Sequence, residues 1–182
     1  MMKTNRQIAE ECAQAAWSWL CERYHIPIPT IQQMLRDSDS NRRTLKMPSY
    51  RVSMTRKKSF YAPGASPSNP GEVVIARNNL SWLQHCPTVN SIESWTLQFV
   101  EEFTRAIELQ EGWDDRNVKE GLRFRATLNQ IEFAKEFFPH LHRQHREKLK
   151  LIARSARSEL KKATGTGPIS GTPPGGSAQA KK

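Results

Sequence analysis

The chain has 182 residues, 37% of them hydrophobic, a formal net charge of +10 and three cysteines. That length suits one domain with one core. No run of 18 apolar residues exists to span a membrane, Met1-Met2-Lys3-Thr4-Asn5-Arg6 leads into no apolar signal segment, and Cys12, Cys21 and Cys86 cannot all pair internally. The expectation is a cytoplasmic protein with reduced, buried cysteines.

Thr4 to about His25 reads as the first helix. Thr4-x-x-Gln7 fits a capping box. Ile8, Cys12, Ala15, Ala16 and Trp19 recur at helical spacing, and Trp17 lies off their stripe. Pro27 and Pro29 end the pattern. Gln32 to Met47 is polar and basic and reads as a loop or a frayed helix end. Tyr50, Val52 and Met54 then alternate with Arg51, Ser53 and Thr55, as in a half-buried strand. Ser59-Phe60-Tyr61-Ala62 predicts a second strand. A turn rich in Pro and Gly runs from Pro63 to Gly71. Val73-Val74-Ile75 predicts a more buried third strand. A small antiparallel sheet is expected, with a mixed one as the alternative.

Asn90-x-x-Glu93 marks the next helix start. Ile92, Trp95, Phe99, Phe103, Ala106 and Gln110 trace one face; Leu97, Val100, Thr104 and Ile107 trace another. A helix apolar on two sides belongs at the centre of its domain. Gly112 is its expected stop. Leu122 to Phe138 predicts a further helix, and Pro139 a break. His140 to Ala163 reads as one basic amphipathic helix with the stripe Leu141, His145, Leu149, Ile152, Ala156 and Leu160. From Thr164 the chain is rich in Gly, Pro, Ser and Ala and reads as a disordered tail. The expected units are residues 1–139, the helix 140–163 and the tail 164–182.

Charge is unevenly placed. Arg36 to Lys58 holds eight basic and two acidic residues; His140 to Lys162 holds eight basic, two acidic and three His. Between them, Glu101 to Glu120 holds seven acidic and three basic residues. Basic blocks attract phosphates by counterion release. Arg42, Arg43, Arg56, Lys57, Lys58, Arg143, Arg146, Lys150, Arg154 and Arg157 are the candidate nucleic-acid contacts. An acidic protein is the alternative partner.

The central helix carries Val100-Glu101-Glu102-Phe103-Thr104-Arg105-Ala106. A zinc-protease helix reads His-Glu-x-x-His, with two imidazoles holding zinc and the glutamate acting as general base. In this chain Glu102 keeps the base position, while Glu101 and Arg105 stand where the imidazoles would be. Glu120-Gly121-Leu122-Arg123-Phe124 follows. The order of strands, helix, loop and Glu-Gly-x-x-Phe resembles SprT-like (Spartan-like) metallopeptidase domains, from about Ser49 to Phe138. The resemblance implies an α+β, zincin-like fold: a small sheet packed on a central helix, followed by the basic helix. It also implies that Glu101, Arg105 and Glu120 are degenerate ligand positions and that Glu102 is a vestigial base.

Arg105 stays protonated and cannot ligate a cation. No metal and no other cofactor is expected. If the three positions converge, Arg105 replaces the metal as a bridge between carboxylates. A simpler reading is a surface pair worth about 0.3–0.5 kcal/mol. His140-x-His142-x-x-His145 is a second place to look for a metal site. The leading expectation is a catalytically inactive SprT-like metallopeptidase homologue, a pseudoenzyme acting as a nucleic-acid-associated binding protein. The alternatives are a basic adaptor of unrelated fold and an active metallopeptidase with a nonstandard site.

Overall fold

The computed structural model describes residues 3–24, 46–64, 69–77, 88, 90–110 and 118–164, with backbone alone at 118–123, 160, 163 and 164. Among them are five helices and three strands: α1 (Asn5–Arg23), β1 (Ser49–Ser53), β2 (Phe60–Ala62), β3 (Glu72–Ala76), α2 (Ser91–Gln110), α3 (Val118–Phe137), α4 (Pro139–Gln144) and α5 (Arg146–Thr164). The fold class is α+β.

α1 starts where the capping box predicts. Thr4 Oγ1 accepts from Gln7 N at 3.3 Å, and Gln7 Oε1 accepts from Thr4 N at 2.9 Å. Its buried surface is wider than the single stripe. Ala15 is exposed, whereas Trp17 is buried edge-on against Phe103 with centroids 5.3 Å apart.

The sheet is mixed, with order β1-β3-β2: β1 runs parallel to β3, and β2 antiparallel to it. β3 is central because Val73, Val74, Ile75 and Ala76 are all fully buried, the composition of a strand covered on both faces. Met54 falls outside β1 and is 60% exposed. Gly71 enters β3 at φ +85°, where an added Cβ would lie 2.2 Å from the Ala62 carbonyl oxygen. Only glycine fits that turn.

α2 is the core element. It packs against α1, α3, β2 and β3. Phe99 stacks on Phe103, and Tyr50 of β1 meets Phe99 edge-on. Asn90 and Glu93 close its capping box: Asn90 Oδ1 accepts from Glu93 N at 3.0 Å, and Glu93 Oε2 accepts from Asn90 N at 2.9 Å. Ile92, expected inside, is 52% exposed. The expected stop at Gly112 lies outside the described residues.

The single helix expected from His140 to Ala163 is two. Pro139 starts α4, His145 caps its end, and α5 begins at Arg146. Nor is this region a separate unit. Leu141, Leu149 and Ala153 join the same apolar core as α1, α2 and α3. Burying those side chains is what fixes α5 along α3. The 164–182 tail expectation lies, but for Thr164, outside the described residues. No helix is long and apolar enough to cross a membrane among the described residues.

Candidate functional site

Arg105 of α2 stands four residues after Glu101 and three after Glu102, the two spacings at which helix side chains meet, and it reaches both. Glu102 is 1% exposed. Arg105 Nη1 donates to both of its carboxylate oxygens at 2.8 Å, and Arg105 Nη2 donates to Glu101 Oε1 at 2.5 Å. Gln130 of α3 completes the cluster. Its Nε2 donates to Glu101 Oε2 at 3.0 Å and to the Leu97 carbonyl at 2.8 Å. From the sheet side, the backbone of Tyr61 in β2 lies near enough to favour the ionised Glu102 slightly. Three layers therefore meet at this acid.

Burial pushes the Glu102 carboxyl up to about 7; the neighbouring Arg105 pulls it back only in part, and Glu101 adds to the rise. A general base needs a free lone pair and a water within reach. Both Glu102 oxygens face a guanidinium, and almost no surface is open. The residues present also do not fit a divalent cation. Arg105 places a fixed positive charge where the zinc-protease pattern puts a ligand.

The backbone of the third expected position, Glu120, is on a different turn of α3 from the one that meets this cluster. α3 runs antiparallel to α2: Arg125 Nε lies 3.0 Å from Glu108 Oε1, Asn129 Nδ2 donates to Thr104 Oγ1, and Gln130 reaches Glu101. Glu120 lies in the first turn of α3. Ten residues of helix separate it from Gln130, about 15 Å along the axis. The residue that α3 delivers to Glu101 is Gln130.

A second buried polar cluster went unforeseen. Glu108, 1% exposed, pairs with Arg125 and accepts from Tyr24 Oη at 3.0 Å. Asn129 donates to Tyr24 Oη at 3.0 Å and accepts from Arg23 Nε at 2.9 Å. Burial drives the Glu108 carboxyl up to about 7 against the pull of Arg125. It also raises the Tyr24 hydroxyl, with Glu108 adding to the shift. The cluster ties α1, α2 and α3 together. Its sequence signal was weak: Asn129 and Gln130 lie in a helix that also carries Arg123, Arg125, Thr127, Glu132, Lys135 and Glu136, so nothing marks these two as buried.

The three histidines do not converge. His140 Nε2 lies 2.7 Å from Glu93 Oε1, while His145 Nε2 lies 3.1 Å from Thr88 Oγ1. No group of three His, Cys, Asp or Glu side chains placed to hold a metal occurs among the described residues. Cys12 and Cys21 are free and buried, and burial raises the Cys21 thiol to about 11.

The basic candidates fall on separate elements. Arg56, Lys57 and Lys58 are exposed in the β1–β2 turn, with Arg56 over the Phe60 ring at 5.6 Å. Arg143 is exposed on α4. Arg146, Lys150, Arg154 and Arg157 are exposed on α5, whose Leu149, Ala153 and Ala156 are buried. Arg42 and Arg43 lie outside the described residues.

No family model matches the chain, and neither a curated protein nor a solved structure matches it significantly. What the fold and the site define is an α+β domain whose central helix holds two buried acid–arginine clusters and whose last helix presents a cationic face.

Proposed function

We propose that this chain is a catalytically silent, zincin-like binding protein, of SprT-like design, that associates with nucleic acid through its basic surfaces. The observation that carries this reading is the Arg105 clamp on Glu101 and Glu102. It keeps the carboxylate of a zinc-protease helix and neutralises it with a cation that needs no metal. The sheet beside α2 and the side chain supplied by α3 support the same design. The binding half rests on the one-sided exposure of Arg146, Lys150, Arg154 and Arg157. The face of α5 turned toward α3, with Leu149, Ala153 and Ala156, is apolar, so these cations lie away from that contact.

The test is binding of the full chain to a fluorescent nucleic acid as salt is varied. Affinity should fall steeply with salt, each neutralised phosphate adding about 0.7–0.9 to the log–log slope. Replacing Arg146, Lys150, Arg154 and Arg157 together with Gln should flatten that slope while leaving the melting temperature unchanged. Unchanged binding in this variant, or no binding at low salt, overturns the reading.

A further inference from the structure

An open backbone edge and a groove meet at β1. In a parallel ladder, alternate residues of a strand turn both backbone groups toward the neighbour. Ser49 N donates to the Gly71 carbonyl at 3.1 Å, and the Ser53 carbonyl accepts from Arg77 N at 3.0 Å. Ser49, Arg51 and Ser53 therefore face β3, while Tyr50 and Val52 turn their N–H and C=O groups the other way. β1 stands at one end of the strand order, and among the described residues nothing bonds to those outward groups. Beside this edge runs a groove of about 550 Å³. Arg6, Ala9 and Glu10 of α1 form one wall; Tyr50, Val52 and Met54 form the other.

We propose that the β1 edge takes an extended acidic peptide as a fourth strand of the sheet. A peptide laid along an open edge gains main-chain hydrogen bonds from the strand and sends alternate side chains into pockets beside it. Tyr50 and Val52 supply the donors and acceptors. Their side chains share the sheet face toward α2, where Tyr50 meets Phe99 edge-on. Every second residue of an added strand points the same way, into the groove. Aliphatic side chains there would cover Met54, which is 60% exposed.

Charge selects the remaining positions. Arg6 and Glu10 stand one turn apart and offset each other, and Arg51 is engaged with Glu72 at 3.0 Å. The excess lies at the end of the sheet where β1 finishes. From Arg51 to Gly71 the sequence has no acidic residue, and from Val73 to Asn90 again none. Arg56, Lys57 and Lys58 are exposed in that first stretch. Arg77, also exposed, donates from Nη1 to Met54 Sδ at 3.7 Å. A strand running past Met54 meets these cations, so its outer residues are carboxylates. A second copy of the chain fits less well. Pairing Tyr50 with Val52 of the copy, and Val52 with its Tyr50, sets Arg51 directly opposite Arg51, a destabilising cross-strand pair. A nucleic acid answers the cations but has no alternating N–H and C=O groups to pair with the edge.

The experiment titrates a fluorescent heptapeptide of alternating Val and Glu into the full chain. It should bind saturably, more weakly as salt rises, and at least about tenfold tighter than its Val–Lys counterpart. N-methylation of every second residue removes the N–H groups along one side of a strand. One of the two alternate sets should abolish binding and the other keep it within about threefold, because only one side faces β1. Val52→Pro removes an outward N–H but no bond to β3, and should abolish binding. Lys57→Glu with Lys58→Glu should weaken binding about tenfold at the parent melting temperature. The variant with Gln at Arg146, Lys150, Arg154 and Arg157 should bind the peptide as the parent does, which separates this edge from nucleic-acid binding on α5. If Val52→Pro does not fold, the two N-methylated peptides decide the matter on the parent. Equal effects of both N-methylated sets, equal binding of the Val–Lys peptide, unchanged binding by either folded edge variant, or no saturable binding overturns the proposal. Self-association of the parent that Val52→Pro abolishes also overturns it, in favour of a second copy on the edge.

Discussion

Arg105 holds the most consequential side chain in the molecule, because it decides what Glu102 can do. Its guanidinium is 27% exposed, while the carboxylate beneath it is 1% exposed. The pair is thus a buried acid with a half-shielded lid. The sequence made the i, i+4 relation of Glu101 and Arg105 legible. It did not make legible that Glu102 would be the more deeply held partner, because burial comes from the sheet and α3. Burial lifts both Glu102 and Glu108 to about 7, above the usual carboxylate value near 4.3. The sign follows directly. The folded state holds protons that the unfolded chain has released, so both groups favour folding at low pH and lose that contribution as pH rises toward 7. Glu102→Gln should therefore gain on the parent as pH increases. Urea denaturation should show the stability difference moving toward the variant, by on the order of 1–3 kcal/mol, between about pH 5 and pH 8. A pH-independent difference would mean that Glu102 stays ionised across that range.

At the scale of elements, local signals were the readable ones. The capping boxes at Thr4 and Asn90 are side-chain geometry confined to four residues, and both form. The break at Pro139 is equally local. The second break at His145 was not legible, since the apolar spacing of Leu141 and Leu149 continues across it. Arg143 consequently sits on α4, away from the α5 flank that its spacing suggested. The mixed sheet was undecidable from alternation alone, because neither the alternating burial of β1 nor the uniformly intermediate burial of β2 carries a strand direction. Only β3, buried from Val73 to Ala76, announces that it has a neighbour on each side. Glu93 has two tasks, the α2 cap and the contact with His140. Asn90→Ala should lower stability by about 1 kcal/mol, the usual value of a cap. Glu93→Ala should cost more, because it also frees His140 and with it the tether between α2 and α4. Thermal melts of the two variants at pH 6 compare them directly. Equal losses would show that the His140 contact contributes nothing.

The whole molecule is ordered by the antiparallel packing of α2 and α3. That register brings Gln130 to Glu101 and leaves Glu120 about 15 Å away along the helix. Sequence order alone suggested Glu120, since Glu-Gly-x-x-Phe follows the central helix at a familiar distance; which turn of α3 faces Arg105 is a property of packing. The zincin-like reading can be tested on the same geometry. Glu101→His and Arg105→His restore two imidazoles one helical turn apart, and Gln130→Glu adds an oxygen ligand from α3. Together these supply three ligands around one point, with Glu102 beside it, the donor set of an open zinc site. The triple variant should bind zinc and melt at a higher temperature as zinc is added, in proportion to occupancy. The alternative triple variant, with Glu120→His in place of Gln130→Glu, should gain much less, because its third ligand comes from the wrong turn. Calorimetric titration with zinc separates the two. If neither variant binds better than the parent, the two imidazoles are not presented to a common point and the zincin-like design is wrong. If the Glu120 variant binds more tightly, α3 packs on α2 in a different register from the one that joins Gln130 to Glu101.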